Sequence, residues 1–222
     1  NVLSAAGTPA AGDAFALTLN DTSVAAADLA TLDAKIDQTG GGTIDINTVV
    51  KLTGSLTEVN AFLTAKNNFD NNGNIVDVDL SGTITDANAV NTLSTDLRAL
   101  ETGGNTAEIN LTSVTAISGS FAELDVIMDA EGGVGDNEKF SGLVAQALTV
   151  DTGSISVANA NTLSAATTGK VTATVTTGAL ADLNVLSAAG TPAAGDAFAL
   201  TLNDTSVAAA DLATLDAKID QT

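Results

Sequence analysis

FALTLNDTSVAAADLATL, residues 15–32, carries a strand, a turn and the start of a helix in one short run. Phe15, Leu17 and Leu19 alternate with Ala16 and Thr18, the two-residue period of a strand with one apolar face. Asn20, Asp21, Thr22 and Ser23 follow, residue types that turn a chain or cap a helix. The spacing then changes: Leu29, Leu32 and Ile36 stand three and four apart, which predicts a short amphipathic helix. Asp28 falls in its first turn, where the helix dipole favours negative charge.

The same phrase recurs along the chain. It reads VVKLTGSLTEVNAFL at 49–63, VDVDLSGTITDANAVNTL at 76–93 and VTAISGSFAELDVIM at 114–128. It returns as ALTVDTGSISVANANTL at 147–163, VTATVTTGALADLNVL at 171–186 and FALTLNDTSVAAADLATL at 198–215. Anchored on Ser23, Gly54, Gly82, Gly119, Gly153, Gly178 and Ser206, the phrases lie 25 to 37 residues apart. Acids recur near each predicted helix start as Glu58, Asp86, Glu123 and Asp182. Two extra alternating runs, TIDIN (43–47) and AEINL (107–111), predict additional short strands, and GGVGDNEK (132–139) predicts a surface loop.

A longer repeat encloses the short one. Residues 1–39 recur letter for letter as 184–222, so six phrases complete a period of 183 residues and a second period begins. Self-similarity of this kind encodes architecture before chemistry. The expected fold is α/β: a right-handed solenoid of strand–turn–short-helix coils, about 30 residues each, with a parallel sheet along a rod. A parallel β-helix is the alternative. The expected organisation is a single continuous solenoid over 1–222, a window on a longer tandem array in which another copy neighbours each end.

Composition narrows the function classes. Apolar residues make up 45% of the chain but aromatics only 3%, all Phe, so a core must be built from Ala, Val, Leu and Ile. Phe15, Leu17, Val78, Leu80, Leu111, Leu148, Val150, Val171 and Val175 are the expected spine. Leu29, Leu32, Leu93, Leu97, Leu124, Ile127, Leu183 and Leu186 are the expected helical cover, and Phe62 and Phe121 sit at core-like positions. The net charge of −20, with seven scattered Lys and Arg, offers no cationic face for nucleic acid. Without Cys or His the chain has no disulfide, no thiol chemistry and no ordinary zinc site. No apolar run approaches the roughly 18 residues of a membrane span.

VTATVTTGALADLNVLSAAG (171–190) and NDTSVAAADLATLDAKIDQT (20–39 and 203–222) resemble the tandem repeats of giant cell-surface and extracellular proteins of marine cyanobacteria, the swimming-motility surface-protein type. The resemblance extends over essentially the whole chain. It implies export and an extracellular or cell-surface place, and it carries over no catalytic residue.

Three residue patterns bear on chemistry. Asn68, Asp70, Asn72, Gly73, Ile75 and Asp79 fall at positions 1, 3, 5, 6, 8 and 12 of a calcium loop of EF-hand type. Asn stands first where Asp is usual, Asp stands last where a bidentate Glu is usual, and an Asn-Gly turn before a strand needs no metal. Asp45, Asp77 and Asp79 lie on expected strands but do not recur in register as catalytic carboxylates would. Thr172, Thr174 and Thr176 offer a short threonine face for ice, but the neighbouring coils are expected to present Asp77 and Asp79, and Asp45 and Asn47, which breaks any regular array. The expected assignment is therefore no enzyme and no catalytic, cofactor or metal residue. The expected role is a structural segment of a long secreted or surface fibre with self as its partner, a glycan- or cell-binding adhesin being the alternative.

Overall fold

The computed structural model describes residues 15–36, 41–70, 74–75, 77–100, 107–129, 139–187 and 195–219. The chain divides into two compact units. The first comprises Asn1–Ser81, Thr92–Asn110 and Val134–Lys139, the second Gly82–Asn91, Leu111–Gly133 and Phe140–Thr222.

The elements come in strand–helix succession. They are β1 (Ala16–Thr18), β2 (Ser23–Ala25), α1 (Ala26–Asp33), β3 (Thr43–Asp45), β4 (Lys51–Ser55), α2 (Leu56–Ala65) and β5 (Asp77–Ile84). Then follow α3 (Ala87–Arg98), β6 (Glu108–Gly119), α4 (Phe121–Asp129), β7 (Phe140–Ser141), β8 (Ala147–Val150) and α5 (Val157–Ala166). The described chain closes with β9 (Val171–Thr174), α6 (Leu180–Leu183), β10 (Ala197–Ala199) and α7 (Ala209–Asp216). The protein is mixed α/β with a mostly parallel sheet whose hydrogen-bonded order is β10-β9-β8-β6-β5-β4-β2, with β7 beside β6. Chain order and sheet order thus agree, one strand of this path for each of the seven phrases. A second, two-stranded sheet joins β1 to β3 in parallel register, Leu17 facing Ile44.

Register follows the apolar alternation. Val24 faces Leu52, and Leu52 faces Val78, all on one side of the sheet. Ile117 faces Leu148, and Leu148 faces Val171. A one-residue slip would turn each of these side chains to the opposite face, so burial holds the register. The expected spine and cover are buried at Val78, Leu80, Leu111, Leu148, Val150, Val171 and Val175, and at Leu29, Leu93, Leu97, Leu124, Ile127, Leu183 and Leu186. Phe62 is buried beside Phe69, their ring centroids 5.3 Å apart.

Three expectations need correction. Phe15 is 51% exposed and outside the core, while Leu17, Leu32 and Phe121 are half-buried. The twin of Phe15 explains the first: Phe198, identical in sequence context, is 6% exposed because β10 lies against β9, with Phe198 facing Ala173. Phe15 has no such neighbour among the described residues. Second, in the first four phrases the Thr/Ser/Gly stretch expected as a turn is strand: Ser23, Gly54, Gly82 and Gly119 lie inside β2, β4, β5 and β6, whereas Gly153, Gly178 and Ser206 lie outside the strands. The strand runs straight into the helix, because Ser55 in extended conformation already caps α2. Third, AEINL is no separate strand: residues from Glu108 onward are the first part of the 12-residue β6. TIDIN does form its own strand, β3. Of the expected loop 132–139, all but Lys139 lies outside the described residues.

Candidate functional site

The polar chemistry of this chain lies between phrases. Lys51 on β4 places its Nζ 3.3 and 3.2 Å from the two carboxylate oxygens of Asp79 on β5. The Asn110 amide on β6 donates to the same Asp79 at 3.1 Å. Asp79 is thereby held between the two flanking strands. Asp45 lies in the other sheet, where it accepts from the Asn47 backbone N–H at 3.0 Å. The three acids singled out in the sequence therefore do not form one carboxylate cluster. Among the described residues, no group of three acids is placed to hold a metal ion.

The calcium-loop positions are only partly described, since Asn72 and Gly73 lie outside the described residues. Asn68 donates to the Asp33 carboxylate at 3.0 Å, bridging to the previous phrase. Asp70 uses its backbone, donating to Ile44 O at 2.8 Å and accepting from Ile46 at 3.1 Å. Ile75 is fully buried, and Asp79 is committed to Lys51 and Asn110. The side chains of Asn68 and Asp79 are thus spent on joining phrases.

The threonine face has different neighbours from those expected. Thr172 faces Thr149 on β8 and Ala197 on β10, and Thr174 faces Ala199. The Asp-bearing strands β4 and β5 are not adjacent to β9; the alanines bound the face instead.

What recurs is a set of side-chain bonds from one phrase to the next. Thr48 donates to Leu19 O across 29 residues, and Asn74 to Asn47 O across 27. Thr83 and Thr115 pair at 3.2 Å across 32 residues. Asn91, fifth residue of α3, donates to Glu123 O; Asn161, fifth residue of α5, donates to Val185 O and accepts from Ser187 N–H. Both sit in an Asn-Thr-Leu triplet whose Leu, 93 or 163, is fully buried. That repeated triplet is the sequence signal for these bonds, and the leucine spacing by itself does not carry it.

Two buried polar side chains, Gln146 and Asp196, stand just outside the recurring phrases of the sequence. Gln146 accepts from the N–H groups of Val144 and Ala145 at 2.7 and 3.0 Å, and donates to Leu111 O and Gly142 O at 2.8 and 3.0 Å. Every hydrogen-bonding group of its amide is used, which offsets the cost of burying it. Asp196 is buried, accepting from the Ser164 hydroxyl and from the Val171 N–H at 2.9 Å.

Two helix starts, those of α2 and α4, are capped reciprocally. The Ser55 N–H donates to Glu58 Oε2 at 2.8 Å while the Glu58 N–H donates to Ser55 Oγ at 3.3 Å. Ser120 and Glu123 repeat the arrangement at 2.8 and 3.4 Å. Accepting the Ser55 N–H, and then its hydroxyl, holds the Glu58 carboxyl below its ordinary range. Of the acids assigned to the helix dipole, Glu58 and Glu123 thus have a more specific job, legible in Ser-x-x-Glu, while Asp28 and Asp182 lie in first turns as expected. α6 is capped from the next phrase, its Leu180 N–H donating to Asp204 at 2.6 Å.

The duplicated segment shows the two sides of one phrase. In residues 15–36, α1 packs on α2, and Ala26 and Leu29 are fully buried. In 198–219 the neighbour is the preceding phrase: Phe198 and Leu215 are buried, and Lys218 donates to the carbonyls of Asn184 and Leu186. There Leu212, the twin of Leu29, is 39% exposed. Each copy leaves open the side that its twin has covered. Compared with protein-family models, with curated proteins and with solved structures, the chain matches none.

Proposed function

We propose that this chain is a structural repeat segment of a long secreted or cell-surface protein, its phrases stacking as successive coils of a solenoid and the array continuing by self-stacking. The observation that carries the reading is the agreement of three spacings. Phrases recur every 25 to 37 residues, the main sheet takes one strand per phrase in chain order, and side-chain bonds between phrases join residues 21 to 35 apart. Each strand's neighbour is thus the adjacent phrase, the defining connectivity of a stack in which each repeat touches only the next. Burial of Leu29 by a following phrase and of Leu215 by a preceding one supports a phrase designed to be covered on both sides. The likeness of 171–190 and 203–222 to cyanobacterial surface-protein repeats supports an extracellular place and a mechanical role.

The test is the growth of length with repeat number. Chains of one, two and three periods are compared by solution X-ray scattering. A stack of six coils per period, at about 4.8 Å per strand spacing, adds about 29 Å to the maximum dimension for each period. A compact fold would grow with roughly the cube root of chain length, and that outcome overturns the reading.

A further inference from the structure

We propose that the seventh phrase selects the sixth as its neighbour through a two-ended clamp: Asp204 and Lys218 together make α6 helical, so that the sixth phrase completes its fold only against the seventh. The proposal rests on the coil-stacking reading and names the residues that join one period to the next.

Four residues make a poor helix. One turn fixes several backbone angles for a single hydrogen bond, so α6 has little stability of its own. The helices before it begin on a side chain of their own phrase. Ser55 caps α2, Ser120 caps α4 and Ser156 caps α5, while the Asp86 carboxylate accepts from the Ala89 N–H at the start of α3. α6 begins at Ala179, which has no such group. Both of its ends are held from the next phrase instead. The Asp204 carboxylate accepts from the Leu180 N–H at 2.6 Å. Lys218 donates to the Asn184 carbonyl and, at 3.0 Å, to that of Leu186, just past the last turn. A carboxylate at the amino end and an ammonium at the carboxyl end both match the helix dipole. Between them α7 packs on α6, and Leu183 and Leu186 are buried.

The clamp also measures length. Asp204 and Lys218 flank α7, and the groups they hold bound a helix of one turn. α2, α3 and α5 are 10, 12 and 10 residues long against 4 in α6. The shortest of them would carry its last carbonyls about 9 Å farther along, beyond Lys218. The clamp therefore fits a phrase whose helix is one turn long and bare at its start. Asp21 and Lys35 stand at the matching places of the first copy, so the pair recurs with each period.

Hydrogen exchange of the full chain reads the clamp residue by residue. α6 is followed at the Leu183 and Asn184 N–H groups, which donate to Ala179 O and Leu180 O, and α5 at the Ala160 N–H, which donates to Ser156 O. Asp204→Ala with Lys218→Met is expected to speed exchange at Leu183 and Asn184 about tenfold and to leave Ala160 unchanged. Ala179 already has the extended conformation of the capping residues Ser55 and Ser156. Ala179→Ser thus gives α6 a cap of its own and is expected to restore much of the lost protection in the double variant. Unchanged exchange at Leu183 and Asn184 overturns the clamp and leaves coil stacking standing. So does an equal loss there and at Ala160 that Ala179→Ser does not reverse. In the parent chain the Val175, Gly178 and Asn203 N–H groups join the two phrases through Ala199 O, Thr201 O and Gly178 O. Free exchange at all three overturns the stacking itself.

Discussion

Leu29 and Leu212 permit a controlled test of burial, because they occupy the same position of the same sequence. Leu29 is fully buried and Leu212 is 39% exposed. Replacing Leu29 by Ala removes transferred apolar surface and leaves a closed cavity between α1 and α2, a cost of about 3 kcal/mol. Replacing Leu212 by Ala removes part of the same surface, but the space opens to water and no cavity remains, a cost of about 1 kcal/mol. In a chain of this size each kcal/mol shifts the melting temperature by about 2–4 °C. Leu29→Ala is thus expected to lower it by about 6–12 °C and Leu212→Ala by about 2–4 °C. The assay is thermal melting by circular dichroism. The order reverses three residues on. Leu215 is 5% exposed and Leu32 is half-buried, so Leu215→Ala is the costlier of that pair. Equal shifts within both pairs, or the same copy weaker at both positions, would refute the argument that neighbouring phrases set the burial of each side.

Gly169 is expected to reject any side chain, because a Cβ there would lie 2.3 Å from Gln146 O and 2.6 Å from Ala145 O, and backbone cannot give way cheaply. Gly169→Ala should destabilise by about 1–3 kcal/mol in urea unfolding, and a neutral result would show that the 145–169 contact is looser than described. Gln146→Leu should cost at least as much by stranding the Leu111 and Gly142 carbonyls and the Val144 and Ala145 N–H groups, and an unchanged midpoint would contradict the amide's placement. α1 begins at Ala25 with no side-chain cap, so Ala25→Ser is expected to stabilise by about 1 kcal/mol, whereas Ser55→Ala at the start of α2 should lose about as much. Glu58 has a lowered folded pKa, so its contribution is complete above the ordinary glutamate value and is lost as pH falls through the folded one. Glu58→Gln should therefore flatten that part of the acid limb of melting temperature against pH, and an unaltered limb would remove Glu58 from it.

Much of the architecture was open to reading in the residues. Alternation at Val76–Leu80 and Val171–Val175, followed by three-and-four spacing at Val90–Leu97 and Leu124–Ile127, announces strand then helix because each period buries one face. The strand–helix junction was read as a turn because Ser, Thr and Gly serve both purposes; only the register of Gly54 against Leu80 and Ser55 against Ser81 shows strand continuing to the cap. The carboxylates misled in the same way. Asp45 and Asp79 both follow the strand period, yet strand pairing sends one to β1 and the other to Lys51, and no local pattern encodes which strands meet.

The 39-residue duplication gives the sharpest division between what sequence determines and what tertiary structure decides. Identical residues form the same helix, Ala26–Asp33 and Ala209–Asp216, each preceded by an uncapped Ala, because spacing, propensity and capping are local. Yet the strand preceding that helix differs. One copy pairs Ala16–Thr18 with β3, while the other pairs Ala197–Ala199, two residues earlier in the phrase, with β9. Phe15 is exposed where Phe198 is buried. Burial and pairing belong to two segments at once, so a sequence can present an apolar side but cannot say whether a neighbour covers it. That depends on which phrase stands beside it.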